Sequence, residues 1–93
     1  MSADDCAAMG LVNQVVDTAE LEAVVDRIVT KLAAKSPIGL QRMKQLVDDG
    51  LDQPRATALR LELAVGALHA VSFDSNEGIA AFNEKRRPQF QGR

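Results

Sequence analysis

The chain has 93 residues, 46% hydrophobic and 26% charged, with a formal net charge of −2; this suits one small globular domain and excludes both two independent cores and a disordered chain. The charge excludes a general nucleic-acid binder, the single Cys6 an internal disulfide, and the single His69 a Cys/His metal cluster. No apolar run approaches the roughly 18 residues of a membrane span and acids stand where a signal peptide carries bases, so the expected setting is cytoplasmic, with no membrane partner.

In chain order, Ser2 followed by Asp4 and Asp5 reads as the N-cap and acidic first turn of a short helix that Gly10 closes at the C′ position. The run Leu11-Val12-Asn13-Gln14-Val15-Val16 is too short for a helix and rich in β-branched residues, which predicts one short N-terminal strand. Asp17 with Glu20 three residues on predicts a capping box. Leu21, Val24, Val25, Ile28, Val29 and Leu32 then recur at the 3.6 period, predicting an amphipathic helix to Lys35. Ser36-Pro37 restarts the chain as N-cap and N1, and the apolar face Leu40, Met43, Val47 runs to Gly50.

Asp52 and Pro54 predict the start of a long helix to about Val71 with two apolar stripes, Leu61-Ala64-Val65-Leu68 and Leu59-Leu63-Ala67-Ala70. A helix apolar on two faces is normally covered on both, and so short a chain has few elements to do it. Asp74-Ser75-Asn76-Glu77 has the spacing of a capping box for a last helix carrying Ile79 and Phe82, with Arg87-Pro88 as its stop and an extended tail. Charge is uneven along this layout. The first 26 residues hold six acids and no Lys or Arg, while Lys85, Arg86, Arg87 and Arg93 gather at the end, a basic terminus that is either solvated or faces an anion. The fold expected is mainly α, a small bundle of four to five helices with one short strand, in a single region 1–93.

The order of motifs resembles the C-terminal third of the enoyl-CoA hydratase/isomerase (crotonase) family. It is carried by Gly10-Leu11-Val12-Asn13, by Ser36-Pro37 with Lys44, by Glu62, and by the closing run Asp74, Glu77-Gly78-Ile79, Ala81-Phe82, Glu84-Lys85-Arg86, Pro88, Phe90 and Gly92. The resemblance implies the helical region that builds an oligomer, without the ββα spiral core. In that core the family keeps the backbone N–H groups that polarise a thioester carbonyl and the carboxylates that activate water. It therefore implies no catalytic residue within these 93, no cofactor beyond the coenzyme A thioester substrate of the whole enzyme, and a dimer or trimer. The missing core or a full-length relative is a further partner.

Lys85 matches the family lysine that reaches a coenzyme A phosphate, shared with a neighbouring subunit; its other reading is a solvated helix-end lysine favoured by the dipole. Arg86 and Arg87 have the same two readings, with surface or interface pairing preferred. Asp74 and Glu77 read as helix caps in preference to an acid–base pair, and Glu62 as an ion-pair partner of Arg42, Lys44 or Arg60. His69 reads as structural, Cys6 as inert among acids, and Met43, Leu46, Phe82 and Phe90 as packing core in preference to an acyl or adenine pocket. The functional reading is the assembly region of an enzyme that hydrates 2-enoyl-CoA, inactive alone. A free-standing, non-catalytic helical self-association module is the alternative.

Overall fold

The computed structural model describes residues 1–93, with five α-helices and no strand. The helices are α1 (Ala3–Ala8), α2 (Leu21–Ala33), α3 (Pro37–Gly50), α4 (Arg55–Ala70) and α5 (Phe73–Asn83), with a short 3-10 turn, Thr18–Glu20, before α2. The mainly α expectation holds, and the predicted strand at Leu11–Val16 is absent. A β-branched run becomes a strand only when a neighbour accepts its backbone hydrogen bonds, and this chain contains no second strand.

The chain divides into two compact units, Met1–Leu32 and Ala33–Arg93. In the first, Ser2 caps α1 reciprocally: its hydroxyl accepts from the Asp5 amide, and the Asp5 carboxylate accepts from the Ser2 amide. These bonds, the Ser2 amide first, hold the Asp5 carboxyl below the usual carboxylate range. Gly10, at φ 74°, ends α1 as expected, with its amide bonded to the Ala7 carbonyl and the Leu11 amide to the Cys6 carbonyl; this is a Schellman closure. The Asp17–Glu20 capping box does not form. The Asp17 side chain makes no cap bond, and the chain enters α2 through the 3-10 turn, with the Glu20 amide on the Asp17 carbonyl. Leu21, Val25, Ile28, Val29 and Leu32 of α2 are all exposed.

In the second unit, Ser36 caps α3 as predicted, accepting from the Gly39 amide at 3.0 Å with Pro37 in the first turn. Helix α4 starts one residue after Pro54 with no side-chain cap, so Asp52 does not serve the role expected of it. The half-buried positions of α4 are Ala58, Leu61, Val65 and His69, a single stripe at i, i+3 and i, i+4 spacing, while Leu59, Leu63 and Leu68 are exposed. Helices α4 and α5 meet at 71° across Val71-Ser72, and no single helix is long and apolar enough to cross a membrane. Ala81 is the one buried hydrophobic residue.

Candidate functional site

The polar centre of the second unit lies where α3, α5 and the C-terminal tail come together. Asp74 is only 1% exposed. One carboxylate oxygen accepts the Ser36 hydroxyl at 2.6 Å, the other accepts the Gln91 amide at 2.7 Å, and the Gly92 amide lies 3.1 Å from both. The Asp74 amide in turn donates to the Arg93 carbonyl. Burial pushes this carboxyl up, but the Ser36 hydroxyl and the backbone of Gln91, Gly92 and Arg93 outweigh it and leave Asp74 below the usual carboxylate range.

Asp74 is therefore not the cap of α5. That position belongs to Ser72, whose hydroxyl accepts from the Ser75 amide at 3.1 Å. Glu77 does not reach back to a cap either: it grips Arg86 through two bonds of 2.5 and 2.9 Å and accepts the Gln89 amide at 2.7 Å. Arg86 and then the Gln89 amide hold the Glu77 carboxyl down at about 2, and the same pairing, with Glu84, raises the Arg86 guanidinium above its ordinary range. The two acids are clamps on the tail, three residues apart on α5 and 12 to 18 residues from the amides they hold. All their oxygens are engaged, which leaves neither free for proton transfer.

The last helix ends earlier than Arg87-Pro88 suggests. Its final residue is Asn83, and the Lys85 amide bonds to the Phe82 carbonyl and the Arg86 amide to the Ala81 carbonyl. This is a second Schellman closure, with Lys85 at C′ and φ 55° where glycine is usual. Lys85 is exposed and in no ion pair, and nor is Arg87, while Arg86 binds both Glu77 and Glu84. The pairing expected for Arg86 is found, within the chain. Phe90 of the tail packs over α5, where a Cβ on Gly78 would lie 3.7 Å from its ring.

His69 spans α3 and α4: Arg42 Nη1 lies 3.1 Å from its Nδ1 and donates to the Leu68 carbonyl at 3.2 Å, a structural arrangement that ties the end of α4 to α3. Glu62 forms none of the ion pairs expected of it. It instead borders an open apolar cleft of about 390 Å³ between α3 and α4, with Met43, Leu46, Val47 and Leu59. Lys44 pairs with Asp48 one turn away, the ordinary i, i+4 alternative to a longer reach. Leu46 and Phe90 are half-buried, but Met43 is 65% and Phe82 83% exposed, so those two are not packing core in this chain. No three His, Cys, Asp or Glu side chains gather where they would hold a metal, and Cys6 sits half-buried on α1.

Comparison with known proteins matches the same architecture. The family model described as Enoyl-CoA hydratase/isomerase matches residues 1–93. The 1,2-epoxyphenylacetyl-CoA isomerase of Escherichia coli is 33% identical over the whole chain, which covers 36% of that protein. The crotonyl-CoA hydratase of Syntrophomonas wolfei is 30% identical over 97% of this chain and 35% of its own length. Among solved structures, an enoyl-CoA hydratase from Bacillus anthracis superposes with a TM-score of 0.94 at 31% identity, over all of this chain and 36% of that one. The chain thus spans about a third of the length of the relatives it matches.

Proposed function

From a chain that belongs to the enoyl-CoA hydratase/isomerase family, we propose that these 93 residues are the assembly region of an enzyme acting on acyl-CoA thioesters, hydrating a 2-enoyl-CoA when whole. The observation that carries this reading is the pairing of a family match over the whole of this chain with large apolar side chains that stand open on and beside its helices, Leu63 at 75%, Val71 at 77% and Phe82 at 83% among them. Such faces are stable when another surface covers them. The rest of the relatives' length and a neighbouring copy in a dimer or trimer are the covers this reading assigns, in the cytoplasm.

The chemistry on this reading lies outside these residues. An enolate forms as water adds to the α,β double bond and is held by backbone N–H groups of the spiral core; core carboxylates handle the proton. The contribution of the present chain is support: the clamp of Asp74 and Glu77 fixes the tail against α5, and Lys85 offers a mobile point charge to a phosphate of coenzyme A. The alternative, a free-standing self-association module, draws on the same exposed faces.

Native mass spectrometry of the chain with and without coenzyme A, together with a hydration assay on crotonyl-CoA, tests the proposal. A defined oligomer that retains the coenzyme without turnover is expected. Turnover abolished by substitutions within these 93 residues overturns the assignment of the chemistry to the core. An oligomer indifferent to coenzyme A favours the self-association module.

A further inference from the structure

Lys85 is the one non-glycine residue in the left-handed region, at φ 55°. A side chain is penalised there, and a corner of this kind persists when its surroundings over-determine it. Those surroundings are specific. The next residue, Arg86, is locked by Glu77 at 2.5 and 2.9 Å and by Glu84 at 2.5 Å, and Glu77 also takes the Gln89 amide beyond the corner. Because Arg86 occupies both nearby carboxylates, Lys85 has no ion-pair partner of its own. Glycine would make the same turn with less strain, so what lysine adds here is its ammonium.

We propose that Glu77 is a positioning residue for Lys85: by gripping Arg86 and the Gln89 amide it fixes the left-handed corner after α5 and leaves the lysine ammonium free for a phosphate of coenzyme A. The ligand half of this inference rests on the reading of Lys85 given above. Without Glu77, Arg86 keeps only the exposed Glu84, and the backbone on the far side of the corner loses its anchor. Lys85 then samples more directions.

The test uses the 93-residue chain, with NMR amide exchange at Lys85 and Arg86 and titration with coenzyme A. The variants are Glu77→Gln, Glu77→Ala, Lys85→Ala and the double variant Glu77→Gln/Lys85→Ala. Loss of Glu77 is expected to speed exchange of both amides about tenfold while helix content by circular dichroism is kept. It should also weaken coenzyme A about fivefold. The affinity loss should vanish in the Lys85→Ala background. Unchanged exchange in both Glu77 variants, or an equal affinity loss with and without Lys85, overturns the proposal. If Lys85→Ala binds coenzyme A as tightly as the unchanged chain, the Lys85 reading falls and the ligand half with it. Exchange at the corner then decides the positioning half separately.

Discussion

The Ser36 hydroxyl and the Asp74 carboxylate meet at 2.6 Å across 38 residues of sequence, joining the N-cap of α3 to the first turn of α5. Ser36 works twice, since the same oxygen accepts the Gly39 amide. Asp74 works three times, holding Ser36, Gln91 and Gly92. A unit with little apolar burial is thus organised around a buried anion whose hydrogen-bonding capacity is filled by neutral donors, the condition under which burying a carboxylate is tolerated.

Replacing Asp74 by Asn should release the tail. The amide keeps one acceptor oxygen but presents donors to Ser36, Gln91 or Gly92, and a charge-assisted acceptor becomes a neutral one. Trypsin cleavage between Arg86 and Arg87 reports this, because the clamp holds residues 89–92 against α5. Cleavage in Asp74→Asn should run about an order of magnitude faster than in the unchanged chain; equal rates would show that Glu77 alone holds the tail.

Acid should loosen the same clamp. Glu77 in the folded chain is held at about 2, below its ordinary 4.5, and Asp74 is also lowered. Between those values the unfolded chain binds more protons than the folded one, so stability falls as pH falls. The contribution of Glu77 is complete above about 4.5 and is lost as pH drops towards about 2. The Gln89 amide resonance should move through that window, and it should stop titrating in Glu77→Gln.

Much of this layout is legible in the sequence. Ser2 and Ser36 cap where they stand, Gly10 closes α1, and α3 has its expected extent, whereas α2 begins at Leu21, after the 3-10 turn, and ends at Ala33, two residues before Lys35. These are local signals, satisfied by neighbours within one turn. The failures share the opposite property. Asp74 and Glu77 have the spacing of a capping box, but their partners lie 12 to 18 residues away, and Ser72 caps α5 from two residues upstream. Spacing cannot rank a local cap against a distant amide. The strand at Leu11–Val16 failed for want of a partner strand, which β-propensity does not reveal. The role of Lys85 in ending α5 was masked by Pro88, a stop signal so strong that an earlier left-handed closure left no further trace.

Lys85→Gly should stabilise the isolated chain. The left-handed corner costs a side-chain-bearing residue about 1 kcal/mol relative to glycine, and Lys85 has no ion pair to lose. Urea unfolding followed by circular dichroism should show a higher midpoint with an unchanged slope. A lower midpoint would mean that the Lys85 side chain makes a stabilising contact that outweighs the strain.

Two helix glycines should respond to alanine with opposite signs. At Gly66, in the middle of α4, an added Cβ meets no atom within 4 Å, so Gly66→Ala gains helix propensity alone, about 1 kcal/mol. At Gly39 the new Cβ would lie 3.2 Å from Ser36 Oγ and 3.3 Å from Ser36 Cβ, with His69 Cε1 at 3.5 Å behind. An unattached serine would turn aside, but this one is held by the Gly39 amide and by Asp74. Gly39→Ala must therefore lengthen one of those bonds, and the loss should exceed the propensity gain, leaving the chain less stable by about 1 kcal/mol. Urea midpoints for the two variants should fall on either side of the unchanged chain. Trypsin cleavage at Arg86 should quicken in Gly39→Ala only, because the displaced hydroxyl weakens the carboxylate cluster that also anchors Gln91 and Gly92.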